Sequence, residues 1–153
     1  YTRNMDSKLH IVDAAGGAPK PLPLPKGVAL YYNTFSPDGT RFVARCAGSK
    51  THCIYETASG SAEPLAHAQA GWFPVAWDRK DRVFFRDHSK MIPEVLWRVD
   101  VASGEPERVA EIRPRDRAGV LGLSRVAVAQ SGEAWAYSLM RRLSDLYVVT
   151  GLE

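Results

Sequence analysis

Short runs of β-branched and aromatic residues, broken at regular intervals by Gly, Pro and Asp, dominate this chain. Phe35 opens FSPDGT, which leads into RFVARCA, a GSK turn, THCIYET and ASG. Around Trp77 the same order returns as VAWDRKD, RVFFRDH, SKMIP, EVLWRVD and VASG. A further round reads VAVAQSGE, AWAYSLM, RRLS and DLYVVTG. Each round predicts a strand, a tight turn, a second strand, another turn and a third strand, since apolar runs bounded by turn residues fit strands. No segment holds a 3.6-residue period, so almost no helix is expected.

The spacing between rounds narrows the architecture. Gly17, Gly60 and Gly104 close the third strands and recur after 43 and 44 residues. The first-turn positions Gly39, Asp81 and Gly132 recur after 42 and 51 residues. Repeats of about 40–50 residues made of antiparallel strands are those of β-propeller blades. Alternation within the strands is imperfect, because RVFF and YVV carry apolar residues on both sides. Inner blade strands are covered by a neighbouring blade on each face, which accounts for such runs; a parallel sheet would need crossover helices that the sequence lacks. The expected fold is all-β, a partial β-propeller of about three and a half four-stranded antiparallel blades.

Residues 1–24 are expected to form a partial blade that lacks its innermost strand. Its KPLPLP segment suits an outer edge strand, since proline supplies no donor to a ladder. Residues 25–66 and 71–112 are expected as full blades, with fourth strands at Glu63–Ala66 and Glu107–Glu111. Residues 119–153 form the incomplete last blade, ending after its third strand. The chain opens YTRNMD without an initiator Met and is read as a piece of something longer. An arc of this kind leaves blade faces and strand edges uncovered, so a homo-oligomer through open blade edges is expected.

Composition adds little that is specific. The 153 residues are 45% apolar and 24% charged, as in an ordinary globular domain, and no run is long enough to span a bilayer. Net charge is +3 with scattered basic residues, so no nucleic-acid partner is expected. Arg113, Arg115 and Arg117 form the densest basic cluster, but Asp116 sits among them and a solvated loop is the simpler use. The four histidines (His10, His52, His67 and His88) have no HxxxH or HExxH spacing, and CxxC is absent, so neither metal nor cofactor is expected. No serine occupies a GxSxG elbow, and Asp87-His88 falls in a turn, so no catalytic residue is assigned. Trp72, Trp77, Trp97 and Trp135 recur at strand positions that suit blade-to-blade packing.

Two sets of residues remain as candidates. A two-residue turn at Ser49-Lys50 would place Cys46 opposite Cys53, within disulfide reach, two free thiols being the alternative. Asp38, Asp78 and Asp81 lie in the first turns, where a rigid scaffold presents ligand-contacting residues; aspartates also serve there simply to form turns.

FSPDGT followed by a hairpin, and the closing AWAYSLMRRLSDLYVVTGL, resemble TolB-like propeller repeats. The last segment is similar to the C-terminal end of propellers attached to bacterial serine/threonine protein kinases, and winged-helix regulators carry related propellers. The resemblance implies a non-catalytic sensor or protein-interaction domain of a membrane-anchored signalling parent, on the extracytoplasmic side. Its partner would be a protein or a small molecule. None of the kinase's catalytic residues has a matching position here. A periplasmic TolB-like scaffold, or the gating propeller of a serine peptidase whose hydrolase domain lies beyond Glu153, are the alternatives.

Overall fold

The structure is a computed structural model that describes residues 10–26, 28, 34–89 and 92–144. Every regular element among them is a strand. The order is β1 (His10–Ile11), β2 (Lys20–Pro21), β3 (Thr34–Phe35), β4 (Arg41–Arg45), β5 (His52–Glu56) and β6 (Ala62–Pro64). It continues with β7 (Trp72–Trp77), β8 (Arg82–Asp87), β9 (Glu94–Asp100), β10 (Pro106–Ile112), β11 (Val120–Val128) and β12 (Trp135–Arg141). These make two four-stranded antiparallel meanders, β3–β6 and β7–β10, flanked by the pairs β1–β2 and β11–β12. The expected strand ending at Asn4, most of the first strand of the 25–66 repeat and the strand at 145–150 lie outside the described residues.

The apolar runs on β4 and β8 follow from burial of both sheet faces. Phe42, Val43 and Ala44 are fully buried, as are Val83, Phe84 and Phe85. Successive strand residues point to opposite faces, so one run serves two interfaces. Val43 joins Trp72, Trp77, Val83, Phe85 and Val99 between the two four-stranded blades. Phe42 and Ala44 pack with Leu22, which follows β2. Phe84 packs the other way, with Leu96, Leu123 and Val126. The apolar stacking of blades is therefore the core. Trp72 and Trp77 are buried in it, and Trp97 stacks on Trp72 with ring centroids 5.0 Å apart. Trp135 departs from the expected packing: it is 37% exposed and stacks on Tyr137.

Glycines mark where blades touch backbone to backbone. Gly60, at φ +71°, ends the third-strand turn, and a Cβ there would lie 1.6 Å from the Pro23 carbonyl oxygen of the preceding blade. One repeat later a Cβ at Gly104, at φ +74°, would lie 2.6 Å from the Ala66 Cβ. Gly60→Ala combines left-handed strain with this clash, and a loss of about 2 kcal/mol in unfolding free energy is expected by urea titration. An unchanged midpoint would show that Pro23 does not pack there.

The β4–β5 hairpin corrects the expected register. Cys53 lies opposite Ala44, and His52 opposite Arg45, because the turn holds four residues, Ala47 to Lys50, rather than two. Cys46 N–H donates to the Thr51 carbonyl at 3.0 Å and Ser49 N–H to the Cys46 carbonyl at 3.1 Å, which closes this wider turn. The slip is by two residues, so Cys46 stays on the same sheet face as Ala44. Cys46 and Cys53 are joined by a disulfide with Cα atoms 5.0 Å apart. Without reductant, intact-mass analysis is expected to find no alkylatable thiol. Reduction should cost about 2–3 kcal/mol, as befits a short loop. Two alkylated cysteines in the untreated protein would contradict this.

Candidate functional site

The first turns of successive blades share one backbone solution. In the β3–β4 turn, Ser36 N–H donates to the Arg41 carbonyl at 2.8 Å and Gly39 N–H to the Ser36 carbonyl at 2.9 Å. The β11–β12 turn repeats this with Ala129, Gly132 and Ala134. The β7–β8 turn is one residue shorter, Asp78 N–H donating to the Arg82 carbonyl at 3.0 Å. Its left-handed position is Asp81, at φ 59°, where the other two have Gly39 and Gly132 at 72° and 75°. Aspartate is among the few non-glycine residues that tolerate this region.

Side chains then fix each turn. The Ser36 hydroxyl donates to Asp38 Oδ1 at 2.6 Å, and Thr40 adds its N–H at 3.0 Å and its hydroxyl at 2.9 Å. These donors, the Ser36 hydroxyl foremost, lower the Asp38 pKa to about 2. In the next blade Asp78 alone replaces the Ser36–Asp38 pair. Its Oδ1 accepts from the N–H groups of Lys80 (2.8 Å) and Arg82 (3.1 Å), and its Oδ2 from Arg82 Nε (2.8 Å) and Nη2 (2.5 Å). Asp78 is 1% exposed, and both its oxygens are committed.

Contacts between turns draw neighbouring blades together on this rim. Arg41 Nη2 donates to Asp81 Oδ1 at 2.8 Å, across one full repeat, and its guanidinium lies 5.1 Å over the Trp77 ring. Trp77 Nε1 donates to the same Asp81 oxygen at 3.0 Å. Arg79 reaches the next blade, its N–H and guanidinium donating to the main chain and side chain of Gln130 at 3.0 and 3.2 Å. The result is a cleft of about 540 Å³ lined by Ser36, Pro37, Asp38, Arg41, Asp78, Arg79 and Asp81. All three aspartates singled out from the sequence line it. Arg41 and Arg79 were not singled out; the signal that finds Arg41 is the repeat period itself, which brings residues 40 apart into register.

The cleft offers charged hydrogen-bonding groups on rigid turns. No histidine lines it, and the Ser36 hydroxyl is bound to Asp38. Among the described residues, no group of three or more His, Cys, Asp or Glu side chains is placed to hold a metal ion. His88 sits at the other end of β8, exposed, with Nδ1 3.3 Å from Glu94.

No family model matches the chain, and no curated protein matches it either. Among solved structures, the crystal structure of TolB from Acinetobacter baumannii superposes with a TM-score of 0.59 at 14% sequence identity. The match covers 85% of this chain and 31% of TolB. The fold is a TolB-like β-propeller. The chain spans under a third of that structure's length, and its sheets form an open arc of blades. At this level of identity the likeness concerns the fold, and function has to be argued from the site.

Proposed function

We propose that this chain is a non-catalytic sensor or protein-interaction propeller domain of a larger bacterial signalling protein, binding its partner at the first-turn rim. The observation that carries the reading is the convergence of two blades' first turns, with Asp38, Asp81, Arg41 and Arg79, on one cleft. Among the described residues, the hydrogen bonds made to Asp38 and Asp81 end on Oδ1, which leaves Oδ2 of each to face a ligand. The ionised Asp38 favours a partner group that donates hydrogen bonds or carries positive charge. A sheet scaffold with buried blade interfaces holds these groups without needing closure around a ligand.

The Cys46–Cys53 disulfide supports placement of the domain on the extracytoplasmic side of a membrane-anchored parent, since such bonds persist in oxidising compartments. The kinase-like parent rests on the resemblance of the closing segment alone.

A thermal-shift screen of small molecules and peptides, run beside a hydrolase panel, tests the reading. A stabilising ligand whose effect is lost in Asp38→Asn and Arg79→Ala is the expected result. Turnover that persists through repurification, with no stabilising ligand, would overturn it.

A further inference from the structure

The two rims of the arc carry opposite charge. In the turns at the first-turn end or at their edges, Asp38, Asp78, Asp81, Asp100, Glu105 and Glu133 outnumber Arg41, Arg79, Lys80 and Arg82. At the other end β10 finishes at Ile112, β11 starts at Val120 and β12 finishes at Arg141, which pairs with Val120. The connection 111–120 together with Arg141 and Arg142 holds five arginines against two acids, Glu111 and Asp116. Glu111 is taken by Arg108 and Arg113, and Asp116 by Arg141 at 3.0 Å. Arg115, Arg117 and Arg142 are exposed and have no acidic partner among the described residues.

Aliphatic surface accompanies this charge. Leu143 is 85% exposed and Met140 53%. Leu143 lies beside the arginine-bearing connection, its Cδ2 3.6 Å from the place a Gly119 Cβ would take. Arg117 also lines a recess of about 220 Å³ with Ile92, Val120 and Leu121 on the same rim.

We infer that this rim docks on an anionic membrane surface, with Arg115, Arg117 and Arg142 at the headgroups and Leu143 entering the interface. Guanidinium groups next to an exposed aliphatic tip suit lipid, where charge and apolar burial add. Single-stranded nucleic acid would call for aromatic stacking platforms. The exposed aromatic pair, Trp135 and Tyr137, is at the start of β12, toward the opposite rim. Docked this way, the first-turn cleft points away from the membrane. The inference uses a different surface from that cleft and stands or falls apart from it.

The test is flotation of the 153-residue chain with vesicles of neutral phosphatidylcholine, alone or with roughly 30% anionic phosphatidylglycerol. Binding to the anionic vesicles alone is expected, falling at least tenfold between about 0.05 and 0.5 M salt as the charges are screened. Arg117→Ala with Arg142→Ala should weaken partitioning about 25-fold, roughly fivefold for each lost charge. Leu143→Ser should weaken it further, and Lys80→Ala on the opposite rim should not. Circular dichroism confirms that each variant is folded. Absent or equal binding to both vesicles, or arginine variants that bind as well as the parent, would overturn the inference. So would a single-stranded oligonucleotide bound more tightly than the vesicles and able to strip the protein from them.

Discussion

Glu94→Ala is expected to lower the unfolding free energy by about 3–5 kcal/mol, the usual cost of breaking a buried ion pair from one side. Glu94 is fully buried, and Arg86 is 11% exposed. Arg86 Nε and Nη2 donate to the two carboxylate oxygens at 2.8 Å each, a two-pronged pairing that only arginine offers. The same guanidinium reaches the next blade, donating to the carbonyls of Leu123 at 3.1 Å and Ser124 at 3.3 Å. Glu94 therefore neutralises a charge that clamps β8 to β11. Its removal leaves a nearly buried cation facing carbonyl oxygens alone. Urea titration of Glu94→Ala beside the double variant Arg86→Met, Glu94→Leu separates pair from burial: the double variant should regain most of the loss. A single variant within about 1 kcal/mol of the parent would mean that the pair is solvated, as exposed pairs are.

Acidification should weaken the protein well before its carboxylates titrate, through His52. This side chain is 1% exposed at the start of β5, with its ring edge-on to Phe85 of the next blade, centroids 5.1 Å apart. Its Nδ1 is buried without a hydrogen-bond partner. Burial, with the nearby Arg45 charge adding to it, lowers its pKa from 6.5 to about 4, against a hydrogen bond to the Trp72 backbone that pulls the other way. Between those values the unfolded chain takes up a proton that the folded chain refuses. Stability is therefore complete above pH 6.5 and declines as pH falls toward 4, by about 3 kcal/mol in all. Asp38, with its pKa near 2, loses its contribution only below its ordinary 3.8, so the two windows are distinct. His52→Gln should flatten the curve between pH 6.5 and 4 and leave the lower window in place. A melting temperature constant from pH 7 to 4.5 in the parent would show that His52 is accessible to water when folded.

Repeats made much of this fold legible. Turn chemistry at Gly39, Asp81 and Gly132 and the recurrence of the exit glycines gave strand order and period, because left-handed backbone restricts residue choice whatever the tertiary context. The doubly apolar runs on β4 and β8 were informative for the same kind of reason: only a sheet covered on both faces has use for Phe42, Val43 and Ala44 in succession. Hairpin register was harder. Ser49-Lys50 looks like a two-residue turn, but Gly48 takes the positive φ and the turn widens to four residues. Alternation could not reveal this slip, since a shift of two leaves every side chain on its own face. At the cleft, the aspartates stood out as turn residues, whereas Arg41 looked like an ordinary strand residue. Its role depends on a neighbour one blade away, a relation that exists only once blades are packed. Glu94 was hidden likewise, because a lone carboxylate beginning a strand gives no sign that Arg86 will meet it in the interior.

The central claim is that successive repeats stack as propeller blades with their first turns on one rim. Nuclear Overhauser contacts between the Gly132 α-protons and the Phe84 ring test it most directly. A Cβ at Gly132 would lie 3.3 Å from Phe84 Cζ and 2.7 Å from Asp78 Oδ2, so those protons must sit against the previous blade. The account predicts strong cross-peaks there, together with contacts from the Trp77 indole N–H to the Arg41 side chain. Intact contacts within each hairpin, with none between Gly132 and Phe84 or between Trp77 and Arg41, would describe separate meanders on a string and contradict it.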